Sequence, residues 1–335
     1  MDFRLSAEQT ALRDGLRELL ARRFGRDALR DVVDRPRLDR ALWRELGAAG
    51  LFALRLPESR GGTGLGLPEA VVLFEECGRS LLPGPLVATF LAAGEVAGAE
   101  RGEVVVTEVS GGLVPWLEAA DVVRGVPTGG ASLNAVGSDG SVGDVGSAAE
   151  VGSVVDTGSV ADVNLVADAD SGAFAAVAVR SVDPLTPLHV VADRAGPVCA
   201  ERRLLYAAEQ LGSAGRTLDM AVQHARQRQQ FGRAVGGFQA IKHLCADMLV
   251  RVEMARVAVY AAAVTGDPVE IAAAGLLADE AAVRGARDCL QVYGGMGFTW
   301  DADVHLHLKR AWVRAELAGG ARAAEETLAA ALGMP

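Results

Sequence analysis

The sequence has few of the residues from which metal sites and disulfide frameworks are built. It contains four cysteines and five histidines in 335 residues. No two cysteines form a C-x-x-C pair, so we expect buried thiols in a reducing compartment. His305 and His307 stand two positions apart, which places them on different faces of a helix, and we predict no metal site.

Long uncharged apolar segments are also missing. The first residues show no basic region followed by an apolar core, so no signal peptide is predicted. No run of about 18 apolar residues lacks charge, so no membrane span is predicted. The net charge of -10 makes the chain a poor partner for nucleic acid or anionic lipid, although a local basic cluster can still bind a phosphate. We therefore predict a cytoplasmic protein.

What is present divides the chain into three regions. Residues 1–100 carry apolar residues at helical spacing and predict an N-terminal helical domain. Residues 101–197 contain short β-branched runs between Gly, Ser, Asp and Pro, which predict a middle β-domain. Residues 198–335 return to helical spacing and predict a C-terminal helical bundle. The predicted helices include 68–79, 86–97, 200–227, 237–265, 267–293, 301–317 and 320–332.

A glycine repeat lies within the predicted β-domain. Gly137, Gly140, Gly143 and Gly146 recur at every third position. The run is too short and too poor in proline for a triple helix. No predicted helix follows it, which argues against a dinucleotide-binding loop. Turns and hairpin ends are the favoured interpretation.

A cationic and aromatic cluster ends the predicted helix 200–227. Arg228 can make a bidentate contact to a phosphate, and Phe231 can stack on a ring. An arginine at a helix C-terminus can equally do no more than complement the helix dipole. The local residues leave both interpretations open.

A second cluster, from Gln291 to Phe298, joins a helix end to three glycines. Exposed N–H groups and a side-chain amide at this place can approach a pyrophosphate. The alternative is a simple glycine cap followed by a turn.

Together these segments resemble the acyl-CoA dehydrogenase family. The stretch from Arg228 to Met248 is similar to the C-terminal signature of that family, and so is the stretch from Gln291 to Trp300. Shorter N-terminal sequences agree, namely Leu42-Trp-Arg-Glu-Leu46, Gly61-Gly-Thr-Gly64 and Glu75-Glu-Cys-Gly-Arg79. The resemblance implies an acyl-CoA dehydrogenase-like fold, with an N-terminal α-helical domain, a reduced middle β-domain and a C-terminal α-helical bundle.

The resemblance also implies a cofactor and a reaction. Family members bind FAD across a subunit interface and dehydrogenate an acyl-CoA between its α and β carbons. A carboxylate removes the α-proton while the β-carbon loses hydride to the flavin. An electron-transferring flavoprotein is the implied electron acceptor. The residues that match the family's FAD contacts are Arg228, Gln230, Phe231, Gln239, Gln291, Gly294 and Gly295.

The sequence departs from the family at the catalytic base. Much of the family carries a glutamate at a fixed distance after the Q-x-x-G-G glutamine, where this chain has Ala318. Other members carry the base on the first helix of the bundle, where this chain has Arg202 with Glu201 beside it. One residue turns a helical side chain by about 100°, so Glu201 is a weak substitute. The catalytic base is therefore unassigned.

The flavin-holding sequence T-E-P-x-x-G-S-D is also degraded, since residues 106–112 keep only its Thr-Glu start. These departures resemble the short subunit of actinobacterial α2β2 acyl-CoA dehydrogenases that act on steroid side chains. The leading hypothesis is a subunit that oxidises a bulky acyl-CoA together with a longer homologous subunit. The alternatives are a non-catalytic structural subunit without flavin, and a flavin monooxygenase or oxidase on the same fold.

Overall fold

The computed structural model describes residues 4–125, 155–168, 172–191 and 198–333. Its N-terminal part is helical, as predicted. The helices are α1 (Ala7–Arg23), α2 (Arg26–Asp34), α3 (Arg40–Ala48), α4 (Leu67–Arg79) and α5 (Leu86–Ala92). Helix α5 is shorter than the predicted 86–97, because Ala93 adopts an extended ψ of 131° and Gly94 a positive φ of 85°.

The described middle part consists of strands in two sheets, two of them long. The strands are β1 (Val106–Glu108), β2 (Leu113–Pro115), β3 (Val122–Arg124), β4 (Val155–Asp168), β5 (Gly172–Ser181) and β6 (Leu188–Val191). Strands β1 and β3 pair in parallel, whereas β2, β6, β5 and β4 form an antiparallel sheet in that order. The glycine repeat at 137–146 lies outside the described residues.

The C-terminal part is a helical bundle whose helices lie close to their predicted positions. They are α6 (Ala200–Gln227), α7 (Gln239–Thr265), α8 (Pro268–Tyr293), α9 (Val304–Leu317) and α10 (Gly320–Ala331). A two-stranded hairpin, β7 (Gln229–Gln230) and β8 (Arg233–Ala234), separates α6 from α7. Within the described ranges, no helix is long and apolar enough to cross a membrane.

One continuous apolar core joins the N-terminal helices to the bundle. Helices α4 and α6 approach so closely that glycine is required on both. A methyl group at Gly78 would lie 2.0 Å from the Glu209 carbonyl oxygen, and one at Gly212 would lie 1.8 Å from the Glu75 carbonyl oxygen. The two backbones are therefore in direct contact, which fixes the position of α6 against the N-terminal helices.

Buried ion pairs add directional contacts to this core. Arg314 on α9 lies 3.0 Å from the Glu209 carboxylate of α6, and both side chains are almost fully buried. Arg310 pairs with the buried Asp183 beside β5 and also donates to the Leu82 and Leu185 carbonyl oxygens, at 3.2 and 3.0 Å. Because such charges are costly to bury unless fully paired, they favour one orientation of α9.

The cysteines only partly follow the prediction of buried thiols. Cys77 and Cys289 are buried, and burial is the main cause that raises the pKa of each. Cys245 is half-buried. Cys199 is exposed, because it lies at the N-cap of α6 rather than inside a helix.

The glycine contact between α4 and α6 generates a stability prediction. Gly212→Ala should lower the free energy of unfolding by about 1–3 kcal/mol, because the added methyl group overlaps backbone that cannot move independently. Gly15→Ala on α1 is the matched control, since nothing lies within 4 Å of its Cβ position. It should raise stability by about 0.5–1 kcal/mol through helix propensity alone. Chemical denaturation measures both, and equal effects would contradict the contact.

Candidate functional site at the two ends of helix α6

The first predicted segment forms a tight turn after α6. Arg228 is the C-cap residue, with an extended ψ of 126°, and its side chain is exposed. The Val235 N–H donates to the Arg228 carbonyl oxygen at 2.8 Å and closes the turn around the hairpin. Phe231 at the tip has a φ of 52°, and 88% of its surface is exposed. A non-glycine residue in this region is strained, which is typical of functional turns.

The rest of this segment is polar and aromatic. Phe231 meets Phe238 edge to face at 5.9 Å between ring centroids, and the Arg233 guanidinium lies 4.1 Å above the Phe238 ring. Gln230 is exposed and pairs with Arg233 across the hairpin. Gln239 is the first residue of α7, and its amide nitrogen lies 3.2 Å from His243 Nε2.

The second predicted segment ends α8. Gln291 is exposed, and Gly294 leaves the helix with a φ of 59°. A short 3-10 helix follows over Gly294–Phe298. The glycine cap and the turn of the alternative interpretation are therefore both present. A Cβ at Gly294 or Gly295 would meet nothing within 4 Å, so the space beside this turn is open to an approaching group, although the Gly294 N–H itself donates to the Gln291 carbonyl oxygen.

The structure brings these two segments together at one end of the bundle. The His224 ring on the last turn of α6 stacks on the Tyr293 ring at the end of α8, with 4.1 Å between centroids. The backbone carbonyl of His224 also accepts the Arg228 N–H, at 2.8 Å. Burial, followed by the positive charge of Arg228, lowers the pKa of His224, so the ring is neutral at neutral pH. The stack was not predicted, although His224 lies one helical turn before Arg228.

The chemistry of this surface fits a flavin dinucleotide. A guanidinium and an open glycine turn match a diphosphate, two side-chain amides can hydrogen-bond a heterocycle, and an exposed phenylalanine offers a stacking face. Arg228 can complement the helix dipole and bind a phosphate at the same time. Its guanidinium is available for this, because no carboxylate pairs with it within the described part of the chain.

The opposite end of α6 holds the positions where relatives carry the base. Arg202 is buried and pairs with Glu108 of β1. Burial is the main cause that lowers the pKa of Arg202. Glu201 is held by Arg55 instead, which donates to both of its carboxylate oxygens, at 2.7 and 3.0 Å. Glu108 and Glu201 are therefore both paired with arginines.

Both candidate base positions converge at this end. Ala318 caps α9, and the glycines after it lie against the start of α6. The Arg203 guanidinium lies 3.4 Å from the Gly320 carbonyl oxygen, and Ser110 donates to the Leu317 carbonyl oxygen at 2.9 Å. The place where a glutamate is expected in the family thus holds alanine, glycine and buried arginines.

The two neighbouring histidines of α9 have different partners. The His305 ring stacks on Trp300, whereas His307 is buried and its Nδ1 lies 2.7 Å from Ser213 Oγ. The two rings have different surroundings, as their spacing predicts. Across the described ranges, no three His, Cys, Asp or Glu side chains gather closely enough to hold a metal ion.

Comparison with known proteins agrees with this arrangement. Residues 6–99 match the family model for the acyl-CoA dehydrogenase N-terminal domain, and residues 198–333 match that for the C-terminal domain. Acyl-CoA dehydrogenase IpdE2 of Mycobacterium tuberculosis is 33% identical over 320 residues, which cover 92% of each chain. The chain belongs to the acyl-CoA dehydrogenase family, a family of flavoproteins that oxidise CH–CH groups.

Solved structures share the fold. The ChsE4-ChsE5 complex from Mycobacterium tuberculosis superposes with a TM-score of 0.72 at 23% identity over the full length of both chains. The Tcur3481-Tcur3483 steroid acyl-CoA dehydrogenase gives 0.71 at 23% identity, covering 97% of this chain and 98% of that one. Structures with this fold include complexes with FAD. The predicted family and fold class are confirmed.

The His224–Tyr293 stack should set the geometry of the turn that carries Arg228. His224→Ala should destabilise the protein by about 1 kcal/mol and speed amide exchange in residues 228–238, because a stacked ring pair is lost. His224→Phe keeps a ring and is the matched control. Hydrogen exchange followed by mass spectrometry measures both, and unchanged protection of the turn in the alanine variant would contradict this role.

Proposed function

We propose that this chain is a subunit of an FAD-dependent acyl-CoA dehydrogenase and lacks a catalytic base of its own. A longer homologous subunit supplies the base and completes the site, in an α2β2 assembly. The substrate is a bulky acyl-CoA, such as a steroid side-chain thioester. An electron-transferring flavoprotein accepts the electrons.

The replacement of the base carries this proposal. Removal of an α-proton needs a carboxylate that is free to accept it. At the base position on α6 the chain has Arg202, which Glu108 neutralises, and at the second position it has Ala318. A guanidinium keeps its proton at every physiological pH and cannot act as a base.

The length of α6 explains why the surface around Arg228 is intact although the base position at Arg202 is not. From Arg202 to Arg228 the helix rises by about 39 Å, at about 1.5 Å for each residue. Reacting groups must come within about 3.5 Å of each other. The surface around Arg228 therefore serves a reaction centre other than the one at the start of its own α6, which requires a second subunit.

Each matched residue has a role in this arrangement. FAD, when bound, accepts hydride from the β-carbon of the substrate. Arg228 and Phe231 would contact the FAD of one subunit, whereas the turn at Gly294 and Gly295 would approach the FAD diphosphate bound by the neighbouring subunit. The amides of Gln239 and Gln291 would orient the cofactor, and Gln230 would contact it from the hairpin.

An unpartnered face of α7 supports a second subunit. Leu249, Val250, Met254, Val257 and Val264 are exposed large apolar residues on this helix. Most of them recur at three- and four-residue intervals, so they form a stripe on the helix surface. Contiguous apolar surface of this kind marks a protein interface. The structural neighbours include a complex of two differently named chains, ChsE4 and ChsE5, and a steroid acyl-CoA dehydrogenase.

Co-expression with a longer acyl-CoA dehydrogenase homologue tests the proposal. The co-purified complex should contain FAD and dehydrogenate a steroid side-chain acyl-CoA, whereas this chain alone should do neither. Arg228→Ala in this chain should lower the FAD content of the complex at least about tenfold, since a charge-assisted phosphate contact is lost. Glu201→Gln is the control and should leave the rate unchanged, because Arg55 already occupies that carboxylate.

Two results would contradict the proposal in different ways. Stoichiometric FAD and acyl-CoA oxidation by the isolated chain would show that no partner is needed. A colourless but stable complex would instead support a structural subunit without flavin.

The stripe on α7 makes a separate prediction about assembly. Met254→Glu together with Val257→Glu should prevent association with the longer subunit, because two carboxylates would be buried without partners. Arg284→Glu, at an exposed position on α8 rather than on α7, is the control for added negative charge. Light scattering after size-exclusion chromatography measures the complex, and full assembly of the double variant would place the interface elsewhere.

A further inference from the structure

A cavity between the N-terminal helices and the bundle lies apart from both ends of α6. It has a volume of about 240 Å³ and is lined by residues of α1, α2, α4, α6 and α9. Its walls include the apolar side chains of Leu20, Phe24, Leu29 and Met220. Three arginines at its edge are already neutralised, since Arg17 pairs with Glu76, Arg26 with Asp303 and Arg79 with Asp219.

Arg216 is the exception among the arginines of the cavity. It is half-buried on α6, and no carboxylate pairs with it among the residues that the structure describes. A partly buried cation without a partner attracts an anion, because the interior screens charge less than water does. The cavity thus has one positive charge that the chain does not compensate.

His307 gives a second, independent indication of a ligand. Only 3% of its surface is exposed, and it lines the same cavity. Its Nδ1 lies 2.7 Å from the Ser213 hydroxyl. When that hydroxyl donates to Nδ1, the hydrogen of the neutral ring lies on Nε2, which has no partner within the described ranges. Ser213 lies one helical turn before Arg216 on α6, and Arg216 lines the cavity together with His307, so the two side chains face the same space.

We propose that this cavity is a binding site for a small organic carboxylate with a short apolar chain. Arg216 offers the fork of donors that matches a carboxylate, and His307 Nε2 donates a further hydrogen bond. The apolar walls cover the alkyl chain of the ligand. A phosphate or sulfate ion would leave the space between these walls unfilled. The volume exceeds the roughly 150 Å³ of an apolar protein cavity that binds benzene, so an alkyl chain of about six carbon atoms fits.

Calorimetric titration of the full chain with hexanoate tests this site. Saturable binding with a Kd at or below about 1 mM is expected, because one charged contact and one buried alkyl chain contribute. Arg216→Gln should weaken binding at least about tenfold, and Arg216→Lys less, since it keeps the charge but loses the fork. Arg284→Gln removes an arginine from the surface of α8 and should bind as the wild type does.

Uncharged and inorganic probes separate the contribution of the carboxylate to binding from that of the alkyl chain. Hexanol should bind to the wild type at least about tenfold more weakly than hexanoate, and this comparison remains valid if the Arg216 variants do not fold. No saturable binding of hexanoate, or equal binding of hexanol or sulfate, would overturn the assignment. The measurement needs neither FAD nor a partner, so its outcome is independent of the dehydrogenase proposal.

Discussion

The length and fixed position of α6 are the constraint on which the site depends. Its two ends carry different chemistry, and no side chain can bridge the rise of the helix between them. The backbone contact through Gly78 and Gly212 holds this helix against the N-terminal helices. A substitution at the Arg202 end therefore leaves the turn at Arg228 unaffected at the other.

The charged groups near the start of α6 have become part of the folded core. Arg202 with Glu108, Arg314 with Glu209 and Arg310 with Asp183 connect the bundle to the strands and helices around it. A buried charge is tolerated only while its partner stays in place, so each pair penalises a different arrangement of the same elements. At the α6 position where some family members carry the base, this chain thus has an arginine with a structural role.

Much of this structure could be predicted from sequence, because motifs at helix ends are local. The bundle helices, the turn after Arg228 and the glycine turn after Gln291 follow from spacing and from residues that end helices. The His224–Tyr293 stack and the pairing of Arg202 with Glu108 join residues far apart in the chain, and a single sequence contains no signal for such contacts. The exposure of Cys199 was mispredicted for a related reason, because burial depends on the neighbours in space. How the proposed cofactor contacts divide between subunits stays a prediction.

The exposed ring of Phe231 affects how the isolated chain is treated in a cell. An aromatic ring held in a left-handed conformation and almost fully exposed costs free energy in the isolated chain. In the proposed assembly a second subunit would cover this ring and the apolar face of α7. Copies made in excess of that subunit would keep both in water, where chaperones and proteases act on exposed apolar surface. The abundance of the chain would then be set less by its own synthesis than by the supply of that subunit.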